Sequence, residues 1–541
     1  MRQFAHFAGK KPTLMVSAHA AHIMLAQEHH GSLDVAWAID DVAHADDRID
    51  VLFVDLAECN LEPSVFGMDV PQIGNSIHSR WKGIAARSSR SIEKCGTTDG
   101  CSVILGPAVP MTIPISVLFL LASVVSAMFT LNALWPARRF WPLVGAGFFA
   151  SWLTGELASH HLFWQALLTG LFVWAGGLGD WPSVVAVVIF SLSWIGLLRI
   201  WVQSRRANDV MEAALQTGLG ANYERLIPEE CRNGLDERWT LRQRLFPLPV
   251  YDARVECTKN IVFSKAGGID LRLDVYRAKG LAKDELRPTV LFVHGGGWTI
   301  GSKNDQGKPL ANRLAAHGWV VVSANYRLSP RFTFPDHIID VKSAIRWIRE
   351  HGRKYGANPD FIVITGGSAG GHLAALAALS PNDPTYQPGF EDVDTRVQAC
   401  VPFYGVYDFT DRKGIFRNSL LLPLVERAVM KKRLSEARSM FEHASPMSRV
   451  HADAPPFFVI HGEKDSLIPV DEGRLFVELL RATSLSPVLY AEIPGAQHAF
   501  EVFPSERTGH VLAGVERFVG AVYGLWCGGR SLPAASPKYG S

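Results

Sequence analysis

The segment Gly366-Gly367-Ser368-Ala369-Gly370-Gly371 directly follows the apolar stretch 361–365 and precedes the helix-forming stretch 372–379, which leaves the local chain few conformations. Glycines flanking a serine between a strand and a helix describe a strained turn that holds the hydroxyl clear of the backbone. Ser368 is therefore a candidate nucleophile. Taken alone, a G-x-S-x-G pattern reads equally well as a glycine-rich turn that begins an ordinary helix.

The company this turn keeps favours chemistry. A second apolar strand, 290–293, ends in His294-Gly295-Gly296-Gly297-Trp298. Consecutive glycines let the main chain approach a substrate oxygen, so the N–H groups of Gly296, Gly297 and Ala369 are candidates to surround a developing oxyanion. His294 leaves its strand beside this site rather than opposite the nucleophile. It is expected to be a structural hydrogen-bonding residue, because a base must reach the serine.

An acid and a base follow in the chain order that α/β-hydrolases use, Ser, then Asp or Glu, then His. The short run 456–460 leads into His461-Gly462-Glu463-Lys464-Asp465-Ser466-Leu467-Ile468-Pro469, where Asp465 is the candidate acid and Glu463 the alternative carboxylate. The run 488–493 leads into Gly495-Ala496-Gln497-His498-Ala499-Phe500, where His498 is the candidate base. In this scheme His498 removes the Ser368 proton and returns one to the leaving alcohol, while Asp465 fixes the imidazole tautomer. An acyl-enzyme on Ser368 and loss of activity in acid, as His498 is protonated, are expected. The scheme calls for no metal and no cofactor.

Apolar runs at 255–263, 269–276, 290–293, 319–324, 361–365, 399–403, 457–460 and 488–493 predict eight strands. Val341, Ala344, Ile345 and Ile348 fall on one helical face, as do Leu475, Phe476, Leu479 and Leu480. Strands alternating with helices predict an α/β fold: a mainly parallel sheet covered on both faces, with its site at the carboxyl ends of the strands.

These residues resemble the bacterial hormone-sensitive-lipase-like carboxylesterases. The resemblance rests on His294 to Trp298, Asn325-Tyr326-Arg327-Leu328-Ser329-Pro330, Phe334-Pro335 with Asp340, the Ser368 turn, Asp465 and Gln497-His498, and it covers roughly residues 250–525. Within the family the chain looks most like the mycobacterial-type esterases of the cell envelope. The resemblance implies an α/β-hydrolase with a small helical cap, acting on acyl esters. Many members carry an aspartate before the nucleophile, whereas this chain has Gly367.

Residues 411–449 interrupt the pattern after the sixth strand and are expected to form that cap, with 207–250 as a linker and second cap element. Apolar cap residues either bind acyl chains or pack the cap onto the body. Trp298 likewise either walls an acyl pocket or packs beneath the glycine loop.

The whole chain has 541 residues, 48% of them hydrophobic, and a mean hydropathy of +0.09. The apolar excess lies in 112–201, within a membrane segment expected over 111–206. The uncharged run 112–134 is long enough to cross a hydrocarbon core of about 30 Å, and 182–198 is nearly so. Between them, 140–155 and 162–176 are separated by Glu156, His160 and His161, and read as two thin spans, a hairpin or an in-plane segment. A multi-span membrane segment with three or four crossings is expected. Arg138 and Arg139 favour the cytoplasmic side for the first turn, and Arg199, Arg205 and Arg206 support a three-span alternative with a cytoplasmic hydrolase. The resemblance to envelope enzymes implies instead an extracytoplasmic catalytic domain, which four spans would allow.

Residues 1–110 show no catalytic motif and no sustained apolar period, only the strand-length run 51–56. Met111 stands just before the first span, so 1–110 are expected to be a mis-called, disordered or dispensable extension. His19, His22, His29 and His30 are read as chance clustering rather than a metal site. Seven cysteines, an odd number, argue against a fully paired disulfide framework, although Cys95 and Cys101 are close enough in sequence to close a loop. A net charge of +2 gives no nucleic-acid signal. The tail 527–541 is expected to be flexible.

The reading is thus a membrane-anchored serine esterase, domain 251–526, for short- to medium-chain acyl esters, lipid-derived esters among the candidates. Its rivals are a deacetylase of sugars or aryl amides with the same triad, a non-catalytic hydrolase-like scaffold, and a transporter or sensor with a fused domain.

Overall fold

The computed structural model describes residues 13–16, 23–29, 32–38 and 114–529, except 137–140, 177, 249, 283 and 417–419. The chain divides into two units, Met1–Val109 and Pro110–Ser541. In the first, β1 (Thr13–Val16), β2 (Ile23–His29) and β3 (Ser32–Ala38) form an antiparallel sheet in which Ile23 pairs with Ala38 and His29 with Ser32. The alternation of these strands, as in Leu33, Val35 and Trp37, is too short to stand out as a period. The run 51–56, the residues His19, His22 and His30, the pair Cys95 and Cys101, and Arg138 and Arg139 all lie outside the described residues.

The second unit opens with four helices, α1 (Ile115–Leu134), α2 (Trp141–Glu156), α3 (Ala158–Trp174) and α4 (Trp181–Arg205). α1 and α4 run parallel. Ser116 Oγ donates to Asp180 Oδ2 at their amino ends (2.6 Å), and Thr130 Oγ1 meets Ser193 Oγ further along (2.8 Å). Gly196 permits the close crossing, because a Cβ there would stand 2.6 Å from Thr130. α3 runs opposite to both: Ala158 at its start packs with Ala133, Leu197 and Ile200, and Phe172 near its end stacks on Phe119 at 4.7 Å. α2 stays at the carboxyl end of α1, where Asn132 Nδ2 donates to the carbonyl of Gly147 (2.6 Å). Two helices, Ile115–Leu134 and the continuous Trp181–Leu219, are long and apolar enough to cross a membrane, whereas α2 and α3 have 16 and 17 residues.

From here α5 (Ala207–Leu219) and the short α6 (Leu241–Leu245) lead to the sheet. Its strands are β4 (Val255–Ala266), β5 (Ile269–Ala278), β6 (Arg287–Val293), β7 (Val320–Ala324), β8 (Ala357–Gly367), β9 (Ala399–Phe403), β10 (Phe457–Gly462) and β11 (Val488–Ile493). The order is β11-β10-β9-β8-β6-β7-β5-β4, with β5 antiparallel to both its neighbours, β4 and β7, and every other pairing parallel. The helices are α7 (Lys308–Ala316), α8 (Asp336–His351), α9 (Ala369–Leu379), α10 (Leu421–Leu424), α11 (Arg438–His443), α12 (Val470–Thr483) and α13 (Glu506–Cys527). This is the mostly parallel sheet of an α/β-hydrolase.

Alternation along each strand builds two cores. Leu291 and Val293 face α8, α9 and α12, while Val290 and Phe292 face α5, α7 and α13. α5 belongs to the second core because Ala207, Met211, Leu215 and Leu219 recur every fourth residue and are buried. Tyr223, Ile227 and Cys231 continue that packing, so 207–231 is part of the body. The expectation of a cap element there is corrected. Residues 411–449 form a short helical segment over the strand ends, and its Val425, Val429, Met430 and Phe441 pack into the first core.

Candidate active site

Four loops converge at the carboxyl ends of β6, β8, β10 and β11. The β8–α9 turn carries Ser368 at φ 57° and ψ −120°, the left-handed, strained conformation expected of a serine held out from a strand-to-helix turn. Ser368 N donates to the carbonyl of Phe403 at 3.0 Å, which ties the turn to β9. Gly370 has no room for a side chain: a Cβ would stand 2.1 Å from the carbonyl oxygen of Val293, so the turn and the end of β6 interlock.

The loop after β6 bends at Gly296 (φ 114°), where a Cβ would stand 2.1 Å from the Ile300 carbonyl oxygen. Gly295 N donates to Gln306 Oε1 at 2.7 Å. Among the described residues the N–H groups of Gly296, Gly297 and Ala369 donate to no protein acceptor, and Ser368 between them is partly exposed. His294 is buried and stacks on Tyr326 at 4.3 Å, with Nδ1 against the Gly295 carbonyl (2.7 Å). Burial pushes its imidazole down to about 4, so it is neutral at neutral pH. Trp298, 1% exposed, donates from Nε1 to His372 Nδ1 (3.1 Å) and meets Phe409 edge-on. It packs beneath the glycine loop.

Asp465 Oδ1 accepts from the N–H groups of Leu467 (2.9 Å) and Ile468 (2.8 Å), and Oδ2 lies 2.7 Å from His498 Nδ1. Burial opposes ionisation of Asp465, but the charge of His498 and the hydrogen bonds from His461 and His498 outweigh it and hold the carboxyl well below its usual range. Glu463, the alternative acid, instead accepts from the N–H of Gly495 (2.8 Å). Among the described residues there is no hydrogen bond between Ser368 Oγ and His498, a contact that in free enzymes is often long and tightens with substrate.

Four neighbours of His498 have roles that the sequence does not show. Gln497 Oε1 accepts from the N–H groups of both His498 (2.9 Å) and Ser466 (2.7 Å), so one side chain braces the loops of the candidate acid and base. Tyr404 lies with its ring 4.5 Å from the imidazole. Glu501 is buried beside the Tyr404 hydroxyl and within the field of His498, and burial pushes its carboxyl up to about 7. The fourth is helix α2. Phe148 meets His498 edge-on at 6.2 Å, Gln497 Nε2 donates to Ser151 Oγ (3.3 Å), and Trp152 Nε1 donates to the Ala499 carbonyl (2.8 Å). The only advance signal on α2 was Glu156, an ionisable residue in an apolar stretch. It pairs with Arg507 and accepts from Ser505 Oγ at 2.7 Å.

Comparison with known proteins agrees with this architecture. The BD-FAE family model matches residues 273–480. The probable carboxylic ester hydrolase LipM of Mycobacterium tuberculosis is 41% identical over 414 residues, 75% of this chain and 93% of that protein. Esterase LipQ of the same organism is 43% identical over 62% of this chain and 80% of its own length, and esterase LipC is 44% identical over 46% and 62%. The LipM match is longer than the sheet domain, so it takes in residues outside it. An α/β-hydrolase with this degree of likeness over nearly the whole of such a relative belongs to the hormone-sensitive-lipase-like carboxylic ester hydrolases, and is an ester-hydrolysing enzyme.

Proposed function

We propose that Ser368 is the nucleophile, His498 the general base and then acid, and Asp465 the residue that orients and stabilises the imidazole. The observation that carries this reading is the 2.7 Å contact between His498 Nδ1 and Asp465 Oδ2, made at the same sheet end as the strained Ser368 turn. His498 Nε2 takes the Ser368 proton as Oγ attacks the ester carbonyl carbon. The tetrahedral oxyanion is received by the free N–H groups of Gly296, Gly297 and Ala369. Collapse breaks the bond to the alkoxy oxygen, which leaves with the proton from His498, and water then repeats the sequence on the acyl-enzyme. Short- to medium-chain acyl esters are the proposed substrates.

The same reading takes the helix bundle as a membrane anchor with three crossings, α1, α3 and α4. Two parallel helices need one return leg between them, and α3 supplies it, while α2 stays at the hydrolase end. Outward residues of α1 such as Leu121, Val125 and Met128 are exposed and apolar, as lipid contact requires. With three crossings the hydrolase shares a side with Arg199, Arg205 and Arg206, whereas the turn before α4 carries Asp180 and no Lys or Arg. The excess of positive charge then favours a cytoplasmic catalytic domain, in place of the extracytoplasmic side expected from resemblance.

The test is hydrolysis of p-nitrophenyl esters from acetate to long chains by the detergent-solubilised chain and its Ser368→Ala variant. Turnover abolished by the substitution, with a chain-length optimum at or below medium length, is the expected result. A variant that retains turnover excludes Ser368 as the nucleophile.

A further inference from the structure

The exposed apolar residues around Ser368 are not scattered. Ile300, in the turn closed by its N–H to the Gly296 carbonyl (3.0 Å), is 69% exposed. Leu420, beside the start of α10, is also exposed, and Leu424 at the end of that helix stands near Gly297. On the histidine side, α2 presents Phe148 to the imidazole and leaves its neighbour Phe149 exposed, the two rings 5.0 Å apart. Oxyanion loop, cap and α2 thus each carry a large exposed apolar side chain, Ile300, Leu420 and Phe149. The same end of the bundle carries exposed Phe163 and Trp164 on α3. It also carries exposed Leu241, Leu245 and Phe246 on and after α6, whose Leu245 carbonyl meets His160 Nε2 at 3.2 Å. Exposed aromatic and aliphatic residues gathered at one level of an apolar bundle, with Arg242 and Arg244 among them, are what a membrane–water interface selects.

We propose that α2 is a wall of the ester-binding site, and that the ester reaches Ser368 along this helix from the lipid interface, with Phe148 as a specificity-determining residue. This rests on the membrane-anchor reading. The substrate class is an amphiphilic ester whose acyl chain stays in the lipid while its carbonyl rises to the oxyanion loop. A helix docked through Ser151 and Trp152 onto the Gln497–Ala499 segment suits that role. It lies at the hydrolase end of α1 and touches the base directly, so an acyl chain following it arrives beside His498 rather than through bulk water.

The experiment uses the full chain with two probes: p-nitrophenyl acetate in water and p-nitrophenyl octanoate dissolved in phosphatidylcholine vesicles. Replacing Phe148→Ala is expected to lower the ratio of kcat/KM for octanoate over acetate by about tenfold, the scale that a change in an apolar pocket carries. Phe148→Leu is expected to restore most of that ratio, and Val125→Ala, on the outward face of α1, to leave it unmoved. An equal loss on both probes would overturn the proposal, since Phe148 would then only steady His498; an unchanged ratio would do the same. Flotation of the chain with the vesicles separates the two readings. A chain that stays in the soluble fraction overturns the membrane anchor and the lipid source together, whereas one that floats with the ratio unmoved overturns only the path along α2.

Discussion

Arg507 at the start of α13 and Glu156 at the end of α2 form an ion pair with both side chains almost wholly buried. Arg507 bonds Glu156 through Nη1, and among the described residues its Nε and Nη2 have no hydrogen-bond partner, so the Glu156 carboxylate is what neutralises this guanidinium. Removing one member of such a pair leaves a buried charge uncompensated, at a cost of roughly 3–5 kcal/mol, whereas replacing both by apolar residues is often nearly neutral. Glu156→Gln is therefore expected to lower the thermal midpoint sharply, and Glu156→Leu with Arg507→Leu to recover most of the loss. Measured unfolding of the detergent-solubilised variants decides it; a single variant within 1 kcal/mol of the parent would mean, on the same scale, that the pair is solvated in solution.

If Asp465 orients His498, then Asp465→Asn should leave binding nearly intact and remove the imidazole's correct tautomer. In a triad this costs about 10⁴ in kcat. Initial rates with p-nitrophenyl butyrate would separate the two parameters. Glu463→Gln, at a carboxylate that accepts from Gly495 N–H and Gln203 Nε2, is expected to leave kcat within about threefold, the margin of an indirect contact. The opposite ranking would transfer the acid role to Glu463.

What could be read beforehand follows from how each signal is encoded. Strands such as β6 and β8 announce themselves as β-branched runs closed by glycine, and the triad candidates sit just past such runs. The stripe Ala207, Met211, Leu215 and Leu219 is equally readable and places the start of the 207–250 linker and cap element against the body. The docking face of α2 was not readable, because a helix that is apolar all round has no stripe to distinguish the side carrying Phe148, Ser151 and Trp152. Long-range pairs such as Glu156 with Arg507 leave no local trace at all. The parallel course of α1 and α4 was hidden for the same reason, and with it the number of crossings.

Stability should fall as pH rises through neutrality. Burial pushes Glu472 up to about 8, even though its Oε1 accepts from the N–H groups of Tyr407 and Asp408, both at 2.7 Å, and burial pushes Glu501 up to about 7. Folded values raised above the ordinary glutamate range mean that the fold favours the neutral acids. Their contribution is complete below that range and is lost as pH climbs through 7 to 8. Asp465 has the opposite sign, and its contribution is lost only in strong acid. Thermal midpoints measured from pH 5 to pH 9 should decline for the parent, and less steeply for Glu472→Gln, whose amide oxygen still accepts from both N–H groups. An unchanged slope in that variant would remove Glu472 from the account.

Gly367 stands where many family members carry an aspartate, and its neighbour explains the difference. A Cβ at this position would lie 2.6 Å from the Tyr404 hydroxyl, so the space before the nucleophile is filled from β9 rather than from the turn itself. Gly367→Ala alone should force the ring of Tyr404 off His498 and cost about 1–3 kcal/mol, the range of an overpacked core, together with a loss of kcat. Ring carbons of Tyr404 stand 2.9 and 3.0 Å from the same Cβ, so Tyr404→Leu, which removes ring and hydroxyl together, should make the double variant more stable than the sum of the two single changes by at least about 0.5 kcal/mol, the threshold for coupled neighbours. Additive losses in that cycle would mean that the turn moves to make room and that Tyr404 does not set the residue before Ser368.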